Sequence, residues 1–282
     1  MFARQTPIVL LLASALVPTL SAQATRADSL RSAQAIDAQG KHAEARAIFT
    51  ALIANAPDGA SRAAATRRLA MSYGYDGNCA KVIELEEQVI AYWVTRRAAE
   101  PQNAHYQEGE MANEAARVCI DHGFLDEAEK MYTRGSELGN REPEPRTHSK
   151  SLWDFRLAHA KARLAARRGN AAEAMRWVTE SRRLLDSDTT LAKAQSQYFP
   201  YLAGYVALYT NDLATAEARL SESIKLLPND PFQLVLLGLT MEKKGDAAKA
   251  KELFQAAYDK STASNPPAIY SRAFTKKKLG LP

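Results

Sequence analysis

Catalytic signatures are missing from this sequence. There is no G-x-x-x-x-G-K-[ST] phosphate loop, no H-E-x-x-H, and neither G-x-S-x-G nor S-x-x-K. Those absences speak against P-loop, zinc-protease and serine-hydrolase chemistry. Cysteine is scarce too. The 282 residues hold two, Cys79 and Cys119, with no C-x-x-C, so a thiolate metal centre is not expected. β-Branched residues are sparse and scattered while alanine is abundant, which disfavours sheet and favours helix. A net charge of +5 without a basic stripe or a recognisable module does not suggest a nucleic-acid partner. His105 and Glu108, and the acid pairs Glu86-Glu87 and Glu142/Glu144, read as solvated side chains rather than catalytic groups. No metal and no cofactor are expected.

One apolar run stands out. "MFARQTPIVLLLASALVPTLSAQAT" begins with Arg4, runs apolar from Ile8 to Val17, breaks at Pro18 and ends in Ala22-Gln23-Ala24. A short basic start, a run too short to span a bilayer and a small-x-small end are the marks of a secretory leader. Residues 1–24 are therefore expected to be a signal peptide cleaved before Thr25, leaving a periplasmic or secreted chain of net charge near +4. No other stretch is long and apolar enough to span a membrane. In an exported protein two cysteines invite a disulfide, and Cys79–Cys119 is one expectation beside two separate buried thiols.

The rest of the chain repeats. Leu237-Gly238, Met241, Gly245, Ala250, Phe254 and Ala257 recur 34 residues earlier as Ala203-Gly204, Ala207, Asn211, Ala216, Leu220 and Ser223. Further turns fall at Gly40, Gly77, Gly123 and Gly169, with small or aromatic residues in the same slots: Ala45 and Phe49, Leu69-Ala70, Ala128 and Tyr132, Ala174 and Val178. "GNREPEPRTHSK" (139–150) reads as a long loop. The pattern resembles the tetratricopeptide repeat, W-x2-L-G-x2-Y, then A-x3-F, then P, with the aromatic slots degenerate. The resemblance implies an all-α solenoid of about six helical hairpins over residues 25–262. Residues 263–282 would form a C-terminal helix capping the last repeat.

It also implies a binding surface. "QSQYFPYLAGYVALYTND" (195–212) carries Tyr198, Tyr201, Tyr205 and Tyr209 on one helical face and Ala203, Gly204 and Ala207 on another. If the small face packs, the tyrosines line the concave groove, clear of the core. Equivalent positions place Arg156, His159, Arg163 and Arg167 beside them, and Asn113 and Arg117 one hairpin earlier. Tyrosine and arginine dominate binding hot spots, and arginine pairs with carboxylates. The expected function is an exported, non-catalytic scaffold that takes a protein or peptide partner, acidic or carboxylate-bearing, in this groove. A helical accessory domain in envelope glycan handling and a structural spacer are the alternatives.

Overall fold

The computed structural model describes the backbone of residues 16–281 and the side chains from Thr25 onward. The leader read at residues 1–24 lies outside the described residues through residue 15. Pro18, read as a breaker, lies within the described helix. Among the described residues every element is helical, and none is long and apolar enough to cross a membrane.

Six antiparallel hairpins follow in order. They are α1 (Leu16–Ala38) with α2 (His42–Ala54), α3 (Gly59–Tyr75) with α4 (Cys79–Arg96), and α5 (Pro101–Asp121) with α6 (Leu125–Gly139). After a loop come α7 (Lys150–Arg167) with α8 (Ala171–Ser187). A short α9 (Thr189–Gln195) and a 3-10 turn, Ser196–Tyr198, lead into α10 (Phe199–Tyr209) with α11 (Leu213–Leu226). Then come α12 (Pro231–Lys244) with α13 (Ala247–Lys260), and a final α14 (Pro266–Leu279). This is the all-α solenoid of six hairpins that the repeat pattern implies.

The hairpin turns have a local cause. Each of the six turn residues, Gly40, Gly77, Gly123, Gly169, Asn211 and Gly245, has positive φ, which ends one helix in a left-handed step. Asn211, at φ 66°, is the one non-glycine described there, and asparagine tolerates that region best of the remainder. In four turns the next residue caps the second helix. The side chains of Asn78, Asn170, Asp212 and Asp246 each accept a hydrogen bond from the backbone N–H three residues on. Turn and cap together make a two-residue stop-and-start signal.

The repeat slots are the packing slots. Ala45, Phe49, Ala128, Ala174, Ala216, Leu220, Ala250, Phe254 and Ala257 are all buried. A Cβ on Gly238 would sit 2.5 Å from the Phe254 ring, and one on Gly204 2.7 Å from Leu220, so these glycines set how closely the paired helices approach. Cys79, at the start of α4, is bonded to Cys119 on α5 with Cα atoms 5.0 Å apart, tying the second hairpin to the third.

Several side chains read as solvated are buried. Glu108 is bound by Arg97 through Nε and Nη2 at 2.7 and 2.5 Å. His105, beside it, is held below its ordinary pKa, chiefly by burial. Glu142 organises the 140–149 loop, accepting from the backbone N–H of Thr147 and His148 and from the Thr147 hydroxyl. Burial pushes its pKa up, but those bonds outweigh it and hold the carboxyl low. Glu86 is fully buried with neither carboxyl oxygen hydrogen-bonded, and burial, with Glu114 nearby, drives its pKa well up. The partners of Glu108 and Glu142 lie beyond their own helices or across a loop, which is why helical periodicity gave no sign of them.

The terminal helix does more than cap. It packs on α13 and α12, and also reaches α3 and α5. Ile269 joins the N-terminal core, against Gly74 and Val118. Arg272 donates to the Ala38 carbonyl, and Arg68 donates to the Ser264 carbonyl at 2.9 Å. Tyr270 stands edge-on to His122 of the C-terminal end of the third hairpin's first helix. The superhelix is thus closed by its own last helix, which fills part of the concave side.

Candidate functional site

A cleft of about 260 Å³ opens among α5, α6, α7, α9, the 3-10 turn and α10. It brings together seven of the ten residues expected on the groove: Asn113, Arg117, Arg156, His159, Arg163, Tyr198 and Tyr201. Glu110, Tyr132, Phe155 and Gln195 complete it. Glu110 lies one turn before Asn113 on the same helix, so extending that face upstream would have found it. Gln195 comes from the connector helix, for which the repeat pattern has no slot.

Tyr205, Tyr209 and Arg167 do not line the cleft. Tyr205 is 0% exposed and belongs to the core shared with Leu220, Phe232 and Val235. The expectation that it stands free of the packing is therefore wrong for this residue. Both faces of α10 are buried, because α11, α7, α8 and α12 all pack on it. Tyr209 is half-buried, its ring centroid 4.6 Å from that of Tyr205, with the Arg167 guanidinium 4.9 Å above it. Arg167 also donates to the Tyr205 hydroxyl at 3.4 Å. Tyr198 lies outside α10, in the 3-10 turn, since the helix begins at Phe199 with Pro200 in its first turn, and at 37% exposed it forms the mouth of the cleft.

The charges of the cleft are unequal. Arg117 donates from Nε to Asp121 at 2.8 Å, and Arg156 is paired with Glu110. Arg163 has no acidic partner among the described residues. Its Nη2 donates to the Tyr132 hydroxyl at 3.0 Å and its Nε to the His159 carbonyl at 3.4 Å. Its Nη1 is buried without a hydrogen-bond partner, and so is the hydroxyl of Tyr201. Both residues are more than nine-tenths buried, at 5% and 6% exposed. His159 stacks on Tyr201 at 5.5 Å, and burial, then the positive charges of Arg163 and Arg117, hold its pKa well below the ordinary value. A neutral imidazole leaves Arg163 as the uncompensated charge.

An aromatic stack bounds the cleft toward the centre of the ring. The Arg117 guanidinium lies 4.3 Å from the Phe232 ring and 5.9 Å from that of Tyr201, and Phe232 meets Tyr270 of α14 at 5.5 Å. The cleft can accept an anion and an apolar group beside it. Among the described residues no group of histidines, cysteines and acids is arranged to hold a metal.

No protein-family model matches this chain, and no curated protein matches it. Among solved structures the chain is similar to YrrB, described as a TPR protein with an unusual peptide-binding site. The identity is 16%, the alignment covers 82% of this chain and 98% of that one, and the TM-score is 0.33. At that overlap the assignment of the fold rests on the six hairpins of this chain itself.

Proposed function

We propose that this chain is an exported, non-catalytic helical-repeat adaptor that holds a carboxylate-bearing segment of a protein or peptide partner in the cleft at Arg163. The observation that carries the reading is the unpaired, buried Arg163 beside the unpaired Tyr201 hydroxyl. A buried cation without a counter-charge is costly, and an incoming carboxylate would remove that cost. Export is supported by the leader-like N-terminus and by the Cys79–Cys119 disulfide, which suits an oxidising compartment.

The test is titration of a fluorescent glutamate-rich peptide and its glutamine counterpart, followed by anisotropy. The glutamate peptide should bind and the glutamine peptide should not. Arg163→Met should abolish binding while leaving the unliganded protein as stable as wild type or more so, because it removes an unpaired buried charge. Equal binding of both peptides, or full binding by Arg163→Met, would reject the reading.

A further inference from the structure

The cleft is small, and one side of it is closed. Its volume of about 260 Å³ falls below the usual range of roughly 300–1,000 Å³ for ligand pockets. The Arg117–Phe232–Tyr270 stack bounds it toward the ring centre. α14 occupies the concave face beyond that stack, against α3 and α5. The exposed residue of the lining is Tyr198, on the side away from that stack.

The lining is also selective. Arg163 and Tyr201 both line the cleft and each holds a polar atom without a partner, one cationic and one hydroxyl, the kinds of group that a single carboxylate satisfies. Around them stand the rings of Tyr132, Phe155 and Tyr198 and the neutral imidazole of His159. These walls suit a flat apolar group rather than a second charge.

We infer that the cleft seats one carboxylate attached to a single aromatic group of about one amino-acid residue in size, entering end-on past Tyr198. The inference rests on the reading of the cleft as an anion site and narrows it from an acidic segment to one terminal acid. Such a group has two sources, a free small aromatic acid or the last residue of a polypeptide. Tyr198, the exposed ring at the mouth, is the side chain that yields on entry.

Calorimetric titration of the purified protein tests this with four probes: N-acetyl-L-phenylalanine, its amide, an eight-residue neutral peptide ending in phenylalanine with a free carboxylate, and a glutamate-rich peptide amidated at its C-terminus. The free acid should bind one to one, with the amide roughly tenfold weaker or more, as expected for losing a charged hydrogen-bond partner. Tyr201→Phe removes only the unpaired hydroxyl. It should weaken the free acid by about tenfold while the melting temperature stays put. Tyr92→Phe on α4, remote from the cleft, should change nothing. Binding of the eight-residue peptide as well as the free acid supports the inference with a chain end as the source. Binding of the free acid without that peptide supports it with a small molecule as the source, and rejects the peptide partner while keeping the anion site. If the amidated glutamate peptide binds while the free acid and its amide are indistinguishable, the inference falls and the adaptor reading stands. If no carboxylate binds, both fall.

Discussion

Individual side chains on this solenoid do different work from what their spacing suggests. Tyr205 is the clearest case. It shares a helical face with Tyr201 yet is enclosed by Arg163, Arg167, Tyr209 and the α12 core. Tyr205→Ala should cost about 3–5 kcal/mol, the usual loss for a buried aromatic. An unchanged denaturation midpoint would return it to the groove surface. Glu86 gives a prediction of the opposite sign. Its folded pKa is raised, by burial first and then by Glu114. Such a group contributes stability below its unfolded pKa, and that contribution is lost as pH rises through the folded value. Glu86→Gln should therefore stabilise the protein near pH 7, with the gain fading toward pH 4. A gain independent of pH would show that Glu86 is ionised or solvated in the folded state. His105, His122 and His159 act in the other window. All three are depressed, with burial the largest cause, so the stability they contribute is present above about pH 6.5 and lost as pH falls through their lowered values.

At the scale of helices, most of the architecture was legible. A left-handed turn residue followed by a capping side chain is a purely local signal, and Gly77-Asn78, Gly169-Asn170, Asn211-Asp212 and Gly245-Asp246 all carry it. The small residue facing a larger one across a hairpin is nearly as local, as with Gly238 and Phe254. Gly238→Trp should destabilise by overpacking, by about 1–3 kcal/mol or more. A melting curve matching wild type would mean that these helices do not meet there. The ion pairs between hairpins were not legible. Arg67 donates from Nε to Glu114 at 2.8 Å across 47 residues, and Arg134 donates to Glu87 across the same interval. That separation follows from how hairpins stack, and no helical period contains it. The cleft was half legible for the same reason. Its tyrosines and arginines lie on regular faces, and Asp121 meets Arg117 one turn along the same helix, but the pairing that occupies Arg156 and leaves Arg163 alone depends on Glu110 from another hairpin.

The whole molecule is a closed superhelix, and closure is what repeat periodicity cannot show. It depends on the summed rotation of six hairpins and on where α14 lands. Removing residues 263–282 should free α3 and α5 from α12 and open the ring, seen as a larger radius of gyration in solution scattering while the helical signal falls only by the lost helix. An unchanged radius beyond the loss of mass would mean that the hairpins hold the curve without α14. Reduction of Cys79–Cys119 acts on the same scale, because it releases a loop closed across 40 residues. By loop entropy it should cost about 4 kcal/mol. The central claim is that the closed ring leaves one unpaired buried cation for a carboxylate. A crystal structure of the protein with a bound carboxylate ligand tests it most directly. The account predicts a carboxylate oxygen within hydrogen-bond distance of Arg163 Nη1 and the other at the Tyr201 hydroxyl. A carboxylate seated elsewhere, on the convex face or at the lysines that end α14, with Arg163 Nη1 still unpaired, would contradict it.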